Sequence, residues 1–324
     1  MSDEFTVRAA TEKKLPAKHL CCRNLNWTGW KGKVTTTVFF LVAVFLRRGD
    51  KLEVAETKGI ILFSRDYKEK DKLVKIFTES YGKQMFYVKG AHRKNNPLAA
   101  ALLNFTEGVY FGTIPSEGLS FLNGAKEVKT FRHIQEDIFV TAYGTYILNL
   151  VDAAIEDRLY DPQLYGFTHQ SLTQLNNGVD PEVITNIFEL QILQRFGVTP
   201  QLDHCAVCGD RQGPFDYSSK FDGLLCQRHF DHDVHRYHAD PRAVHFARLF
   251  MNISYDQINS ITLKTETKQG LRQFIDQLYE EYVGLHLKSK RFIDQMQGWS
   301  QLMIEPRADA ENTSKKDTPS APES

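Results

Sequence analysis

The stretch GIILFSRDYKEKDKLVKIFTESYGKQMFYVKGAHRK, from Gly59 to Lys94, decides the fold of the first half of the chain. Runs rich in Ile, Val, Phe, Tyr and Thr alternate with Gly, Asp and Ser, a pattern that is typical of strands joined by turns. Gly82 predicts a hairpin, because glycine reaches the backbone angles that a tight turn needs. The stretch therefore predicts three strands, GIILFSRDY, KLVKIFTES and GKQMFYVKGAHRK.

Two more runs of the same kind follow, GVYFGTI and LSFLNGAKEVKTF. Five short strands within residues 52–132 predict a small closed β-barrel such as an OB-fold. The segment NPLAAALLNF, between the third and fourth strands, is expected to form a short helix that closes the bottom of the barrel.

Charge is unevenly distributed along the chain, although its total of 40 basic and 40 acidic residues gives no net charge. Between Lys51 and Asn95, eleven basic residues stand against six acidic ones, an excess of five positive charges. Basic residues neutralise phosphates and aromatic residues stack on bases, so this composition is compatible with nucleic-acid binding. The alternative is that the lysines solvate exposed strand faces and the aromatics fill the core. The aromatics concerned are Phe63, Tyr67, Phe77, Tyr81, Phe86 and Tyr87.

The second half of the chain shows helical periodicity over residues 133–200 and 239–303. One helix is expected from His133 to Arg158, and another from Asp180, which caps it, to Gly197, which ends it. Residues 133–200 contain nine acidic residues against two basic ones. These acidic side chains either meet a partner or are solvated, and solvation is the favoured interpretation.

The stretch CAVCGDRQGPFDYSSKFDGLLCQRH begins at Cys205 and ends at His229. Its spacing, C-x2-C followed after seventeen residues by C-x2-H, matches a zinc pattern. The segment GPFDYSSKFDGLL predicts a hairpin, so residues 201–238 are expected to form a zinc ribbon inserted in the helical domain. The proposed ligands of Zn²⁺ are Cys205, Cys208, Cys226 and His229, with His232 as the alternative fourth ligand.

Four protein ligands close the coordination sphere, whereas a catalytic zinc keeps a position open for water. The sequence also lacks the H-E-x-x-H, G-x-S-x-G, Walker A and G-x-G-x-x-G motifs. We therefore expect a structural metal and no enzymatic activity.

The two ends of the chain differ from the rest. The apolar run Val38–Leu46 is nine residues long, whereas a membrane span needs about 20. We interpret residues 1–51 as an extension that either lies outside the mature protein, with translation starting at Leu52 or Val54, or is disordered. The polar segment 304–324 is expected to be disordered. Five cysteines, three of them in the metal motif, fit a reducing compartment such as the cytoplasm.

These features, in this order, resemble the RecO family of bacterial recombination mediators. The resemblance is carried by the Gly59–Lys94 stretch, by NGVDPEVITNIFELQILQRFGVTPQLDHCAVCG and by LCQRH, and it covers Leu52 to Met303. It implies an α+β multidomain protein, with an N-terminal OB-fold barrel followed by an all-α domain with an inserted zinc ribbon. His229 stands where the family often has a fourth cysteine, and it remains a competent zinc ligand.

The resemblance also implies a function. Members of the family bind single- and double-stranded DNA, anneal complementary strands and load RecA onto DNA coated by single-strand-binding protein, together with RecR. They act in the cytoplasm, at the nucleoid. The DNA-binding role falls on the basic residues of the barrel as a set: Arg65, Lys68, Lys70, Lys72, Lys75, Lys83, Lys89, Arg93 and Lys94. The alternatives are a protein of RNA binding or translation with the same two modules, and a zinc hydrolase.

Overall fold

A computed structural model of the protein describes residues 54–115, 117–258 and 262–304. The expectations for residues 1–51 and for nearly all of the C-terminal tail therefore lie outside the described residues. Within the described ranges, none of the helices combines the length and the apolar character that crossing a membrane would require.

The N-terminal part of the described chain is a closed β-barrel with the strand order β1-β2-β3-β5-β4. Neighbouring strands are antiparallel except β3 and β5, which run parallel and pair only through Phe86↔Ser120 and Tyr87↔Phe121. The strands are β1 Val54–Tyr67, β2 Asp71–Thr78, β3 Gly82–Val88, β4 Thr106–Thr113 and β5 Ser120–Thr130.

The barrel has its own apolar core and a plug at one end. A single 3₁₀ turn, Ala100–Leu102, places Ala101 and Leu102 in this core, and the Tyr110 hydroxyl donates a hydrogen bond to the Ala101 carbonyl at 3.0 Å. The short helix expected in NPLAAALLNF is thus present as one turn. The strand residues of the core are Ile61, Val74, Ile76, Phe86, Val88, Tyr110 and Leu122.

A helical region follows the barrel, which confirms the predicted order of a β domain and a helical domain. The helices are α1 Arg132–Glu136, α2 Ile138–Ala154, α3 Pro162–Asn176, α4 Pro181–Ile192, α5 Pro241–Phe250, α6 Thr265–Leu278 and α7 Lys288–Ile304.

The expected helix from His133 to Arg158 is interrupted at Asp137. This residue has an extended backbone, with φ −107° and ψ 118°, and its carboxylate accepts hydrogen bonds from the N–H groups of Phe139 and Val140. Asp137 therefore ends α1 and caps α2. The last residues of the predicted helix are not helical either, because α2 ends at Ala154.

Three helices begin with the dipeptide Asp-Pro, in which the aspartate caps the helix and the proline takes its first position. The caps are Asp161, Asp180 and Asp240. After α4, the 3₁₀ turn Leu193–Phe196 ends at Gly197, whose φ of 77° is in the left-handed region that favours glycine. The predicted start and end of this segment are confirmed.

The helical core contains a buried ion pair between α4 and α6. Glu189 has no exposed surface, and Arg272 donates hydrogen bonds to its two carboxylate oxygens at 2.7 and 2.8 Å. The Tyr146 hydroxyl donates to the same carboxylate at 2.6 Å, and the Tyr279 hydroxyl donates to the Glu189 carbonyl at 2.9 Å. Because every charge of the pair has a partner, the cost of burying it is offset.

Besides the barrel's own core, a second apolar cluster joins one side of the barrel to the helices. Ile60, Leu62 and Phe77 of the barrel belong to the same buried cluster as the helices, and the Phe77 ring meets that of Tyr165 edge-on with centroids 5.5 Å apart. Beyond α2, the Arg158 N–H donates to the Lys83 carbonyl at 2.9 Å. The segment after α2 thus forms a backbone hydrogen bond with the start of β3, a part of the strand that does not pair with β5.

Between α4 and α5 lies a small sheet of three strands with the order β6-β8-β7. The strands are β6 Gln201–Cys205, β7 Phe215–Ser218 and β8 Gly223–Cys226. Strands β7 and β8 are antiparallel, as the predicted hairpin requires, and β6 runs parallel to β8.

Candidate metal site and nucleic-acid interface

Three cysteines and one histidine meet at one end of the small sheet. Cys205 and Cys226 are the last residues of β6 and β8, which are parallel neighbours, so their side chains leave the sheet at the same edge. Cys208 is brought back by a tight turn, in which the Gly209 N–H donates to the Cys205 carbonyl at 2.8 Å and Gly209 has a φ of 72°. His229 lies in the 3₁₀ turn after β8.

The spacing of the four side chains fits a tetrahedral metal ion. The Cys208 and Cys226 sulfurs are 3.8 Å apart, and His229 Nδ1 lies 3.5 Å from the Cys205 sulfur and 3.3 Å from the Cys226 sulfur. Metal–sulfur bonds of about 2.3 Å in a tetrahedral site place two sulfurs roughly 3.8 Å apart. All four ligand atoms lie within 4.8 Å of one another. The group is therefore able to hold a metal ion.

The same geometry distinguishes the two histidines considered for the fourth position. His229 belongs to the group of potential ligands in the described part of the chain, and His232 does not. The ring centroids of the two histidines are 5.1 Å apart, so His232 lies next to the ligand without joining the cluster.

The thiols of the cluster differ in their surroundings, and those of Cys205 favour the thiolate, which is the form that binds metals. Burial alone would raise the pKa of the Cys205 thiol, but the backbone N–H groups of Cys226, Cys208 and Val207 and the His229 side chain lower the pKa to about 6. The backbone N–H of Asp210 acts to lower the pKa of the Cys208 thiol, but burial and the Cys205 and Cys226 side chains raise it. The exposed Arg228 adds a positive charge at the rim, with a guanidinium nitrogen 3.7 Å from the Cys208 sulfur and 2.8 Å from Asp210.

Seven of the nine basic residues proposed for DNA binding lie on two adjoining segments at one end of the barrel. We call them the basic turn surface. Six of these side chains are exposed, and Lys72 is half-buried. The two segments are the end of β1 with the β1–β2 turn and the start of β2, and the loop after β3. The seven residues are Arg65, Lys68, Lys70, Lys72, Lys89, Arg93 and Lys94.

Four contacts hold the two segments of the basic turn surface and the end of β3 together. The His92 N–H donates to the Lys70 carbonyl at 3.2 Å, and the His92 ring lies 2.9 Å from the Asp66 carboxylate. The Asp71 carboxylate accepts hydrogen bonds from the Gly90 N–H at 2.7 Å and from the Tyr87 hydroxyl at 2.6 Å. These two hydrogen bonds lower the pKa of Asp71.

Lys75 and Lys83, the other two proposed residues, lie at the junction between the barrel and the helices. Their side chains are 11% and 2% exposed, and both face Asp152 at the end of α2 and Asp157 beyond it. Lys75 Nζ is 2.5 Å from Asp152 and 2.9 Å from Asp157, whereas Lys83 Nζ is 3.0 and 3.5 Å from them. We call this four-residue group the lysine–aspartate clamp.

The clamp affects the protonation of its members. Burial acts to lower the pKa of Lys75, but the hydrogen bonds with Asp152 and Asp157 raise it. Burial likewise acts to raise the pKa of Asp157, and its interactions with the two lysines lower it. Solvation was the favoured interpretation for the acidic residues of the helical region. Two of them, Asp152 and Asp157, instead form ion pairs with lysines of the barrel.

The aromatic residues of the barrel divide between core and surface. Phe77 and Phe86 are buried and Phe63 packs against the helical core, whereas Tyr67 and Tyr81 are exposed. Tyr87 is half-buried on β3.

One further surface aromatic, Phe121 at the start of β5, does not stand out in the sequence. Its side chain is 48% exposed, and its ring centroid lies 5.9 Å from that of Tyr87. The only signal in the sequence is its alternation with buried neighbours, since Ser120 and Leu122 face the interior.

Both halves of the described fold match models of known families. The model described as "Recombination protein O N terminal" matches residues 52–131, which include the barrel. The model described as "Recombination protein O C terminal" matches residues 135–291, which include most of the helical region and the metal cluster.

Three similar proteins align with this chain over nearly their whole length. A DNA repair protein RecO of Enterococcus faecalis is 65% identical over 257 residues, which are 79% of this chain and 98% of that protein. The DNA repair protein RecO of Lactococcus lactis subsp. cremoris strain MG1363 is 53% identical, over 77% of this chain and 98% of that protein. One of Streptococcus suis is 45% identical, over 81% and 100%. Matched in both halves and at this identity, the chain belongs to the RecO family of DNA repair and recombination proteins.

Proposed function

We propose that this chain is a DNA-binding recombination mediator. Its barrel, whose strand order is that of an OB-fold, binds single- and double-stranded DNA. The protein anneals complementary strands and loads RecA onto DNA coated by single-strand-binding protein, together with RecR. It acts in the cytoplasm, at the nucleoid, as the relationship to the RecO family implies.

The observation that carries the proposal is the basic turn surface. Seven basic residues on adjoining segments neutralise several phosphates at once and release the counterions of the DNA. Lys75 and Lys83 have a different role in this proposal, because the carboxylates of Asp152 and Asp157 already neutralise them. They hold the barrel against the helices and leave the basic turn surface to contact DNA.

Strand annealing follows from charge neutralisation and requires no bond chemistry from the protein. Two single strands repel each other through their phosphates, and this repulsion slows their encounter. A surface that neutralises phosphates on both strands lowers the repulsion and raises the local concentration of one strand near the other. The mechanism makes annealing sensitive to salt.

We further propose that the metal is Zn²⁺ and that its role is structural. Three thiolates and an imidazole match zinc, and four protein ligands leave no position for a reacting water. The metal would join β6, the turn after it, β8 and the turn after that. Strands β6 and β8 and the 3₁₀ turn after β8 are only four to six residues long.

The experiment is annealing of complementary strands, either bare or coated with single-strand-binding protein. We expect the protein to accelerate annealing of both. A variant with Lys68, Lys70 and Arg93 all replaced by Glu loses the acceleration. The matched control replaces Lys129, Arg132 and Lys264 by Glu, which changes the net charge equally at exposed residues outside the basic turn surface.

Two results would contradict the proposal. Equal loss of activity in the charge-matched control would mean that net charge alone promotes annealing. Preferential binding of RNA without annealing of DNA would support the RNA-binding alternative instead.

A further inference from the structure

The outer face of the barrel carries a row of four residues that are direct partners across neighbouring strands. Arg65 on β1 pairs with Leu73 on β2, Leu73 pairs with Tyr87 on β3, and Tyr87 pairs with Phe121 on β5. Residues that pair across strands lie on the same face of a sheet. The row therefore crosses the barrel at right angles to its strands.

Two of the three aromatic rings near this row are well exposed. Phe121 is 48% exposed and Tyr67, at the end of β1, is 41% exposed, with Tyr87 half-buried between them. The ring centroids are 6.2 Å apart for Tyr67 and Tyr87, and 5.9 Å for Tyr87 and Phe121, and both pairs are edge-to-face. The three rings support one another as a continuous aromatic surface.

The central ring of this surface is held in place. The Tyr87 hydroxyl donates a hydrogen bond to Asp71 at 2.6 Å, and the same carboxylate accepts from the Gly90 N–H in the loop that carries Lys89 and Arg93. A rigid ring loses little conformational entropy when a ligand covers it.

The aromatic surface is continuous with the basic turn surface. Arg65 is the first member of the cross-strand row, Lys68 Nζ lies 5.3 Å from the centre of the Tyr67 ring, and Lys89 follows β3 immediately. An aromatic surface bordered by cations suits a ligand that combines planar rings with regularly spaced anionic groups. A nucleic acid strand with unpaired bases has this chemistry.

The rest of the same barrel face is not free for such a ligand. The next two rows on this face start from β2 residues that follow Leu73 at intervals of two. In these rows Lys75 pairs with Met85, and Phe77 pairs with Lys83. These rows are covered by the lysine–aspartate clamp and by the helical core. The aromatic end is the part of the β2–β3 face that remains open.

We propose that Tyr67, Tyr87 and Phe121 form a stacking platform for unpaired bases, which gives this surface a preference for single-stranded over double-stranded DNA. Bases in a duplex are already stacked on one another, about 3.4 Å apart, and do not offer their faces. Single strands offer the faces of their bases to aromatic side chains. The inference rests on the proposed function and adds to it the residues that distinguish the two forms of DNA.

The test compares affinities for an oligo-dT strand and for a duplex in the same buffer. In the variant with Tyr67 and Phe121 both replaced by Ala, affinity for oligo-dT falls at least about tenfold, whereas affinity for the duplex changes less than about twofold. Retained duplex binding also shows that the variant is folded. Tyr160→Ala is the matched control, because Tyr160 is 63% exposed outside the platform.

A strand without bases separates stacking from phosphate contacts. The wild-type protein binds oligo-dT more tightly than an abasic strand of equal length, and the double variant loses this preference. The conservative changes Tyr67→Phe and Phe121→Tyr preserve it, because they keep the rings.

The outcomes that overturn the inference are separable from failure of the proposed function. Unchanged oligo-dT affinity in the double variant, or equal losses on oligo-dT and duplex, would exclude a stacking platform while leaving DNA binding intact. Failure of the wild-type protein to bind either form of DNA would instead overturn the proposed function, and the platform with it.

Discussion

Lys83 of the barrel lies 3.0 Å from the Asp152 carboxylate at the end of α2, with only 2% of its side chain exposed. A lysine in this environment is part of the junction between two regions of the fold. With Lys75 and Asp157 it forms an ion-pair network on the side of the barrel that faces the helices.

We expect Lys83→Met to lower the free energy of unfolding by about 1–3 kcal/mol, because the carboxylates of Asp152 and Asp157 lose a buried donor. Lys70→Met, at an exposed position of the basic turn surface, changes it by less than about 0.5 kcal/mol. Urea unfolding of both variants measures the difference. Equal stability of the two variants would show that the clamp contributes nothing to the fold.

The clamp also predicts a pH dependence of stability. A carboxyl group with a lowered pKa in the folded state, such as Asp157, contributes stability above its unfolded pKa of about 3.9. This contribution is lost as the pH falls through the folded value. Lys75, with a raised pKa, contributes below its unfolded pKa of about 10.4 and loses this contribution as the pH rises through its folded value.

The stability difference between the wild type and Asp157→Asn should therefore be constant between about pH 5 and pH 9 and should shrink below about pH 4. Urea unfolding at a series of pH values measures it. Glu156→Gln is the control, since Glu156 is exposed and adjacent in sequence. A difference for Asp157→Asn that persists undiminished at pH 2 would contradict the ion pairing.

The buried ion pair of the helical region should be the most sensitive polar position. Glu189→Ala leaves Arg272 charged and buried, and we expect a loss of about 3–5 kcal/mol in the free energy of unfolding. Glu136→Ala, on the exposed surface of α1, should cost less than about 0.5 kcal/mol. Chemical denaturation monitored by circular dichroism compares the two.

The metal cluster gives a prediction about stoichiometry. Cys205→Ser and His229→Ala should reduce the bound metal well below one ion per chain, whereas His232→Ala should retain it, because His232 does not belong to the ligand group. Elemental analysis of the purified variants measures the metal and identifies it. Loss of metal in the His232 variant, with retention in the His229 variant, would show that His232 is the fourth ligand and His229 is not.

The sequence predicted those features that depend on local pattern. The Cys205–Cys208 and Cys226–His229 pairs were found because their spacing is set by short turns. Asp180, Pro181 and Gly197 were recognised as the start and end of a segment because capping is local chemistry. The break at Asp137 was missed, because helical periodicity continues through it in the sequence.

The roles of the lysines depend on tertiary contacts and were not visible in the sequence. Lys72 and Lys75 are three residues apart on β2, yet one belongs to the basic turn surface and the other is buried against Asp152. Residues three apart on a strand point to opposite faces of the sheet, but the sequence does not show which face meets the helices. Phe121 was missed for the same reason, since its neighbour Tyr87 is brought to it by the parallel pairing of β3 and β5.

The salt dependence of single-strand binding shows directly whether the basic turn surface contacts DNA. Log affinity falls as log salt concentration rises. In the variant with Lys68, Lys70 and Arg93 replaced by Ala, the steepness of this fall should decrease by about 2, because three phosphate contacts are lost. A folded Lys75→Met, Lys83→Met variant should keep the wild-type slope. An unchanged slope in the first variant, or a reduced slope in the second, would contradict the assignment of DNA binding to the basic turn surface.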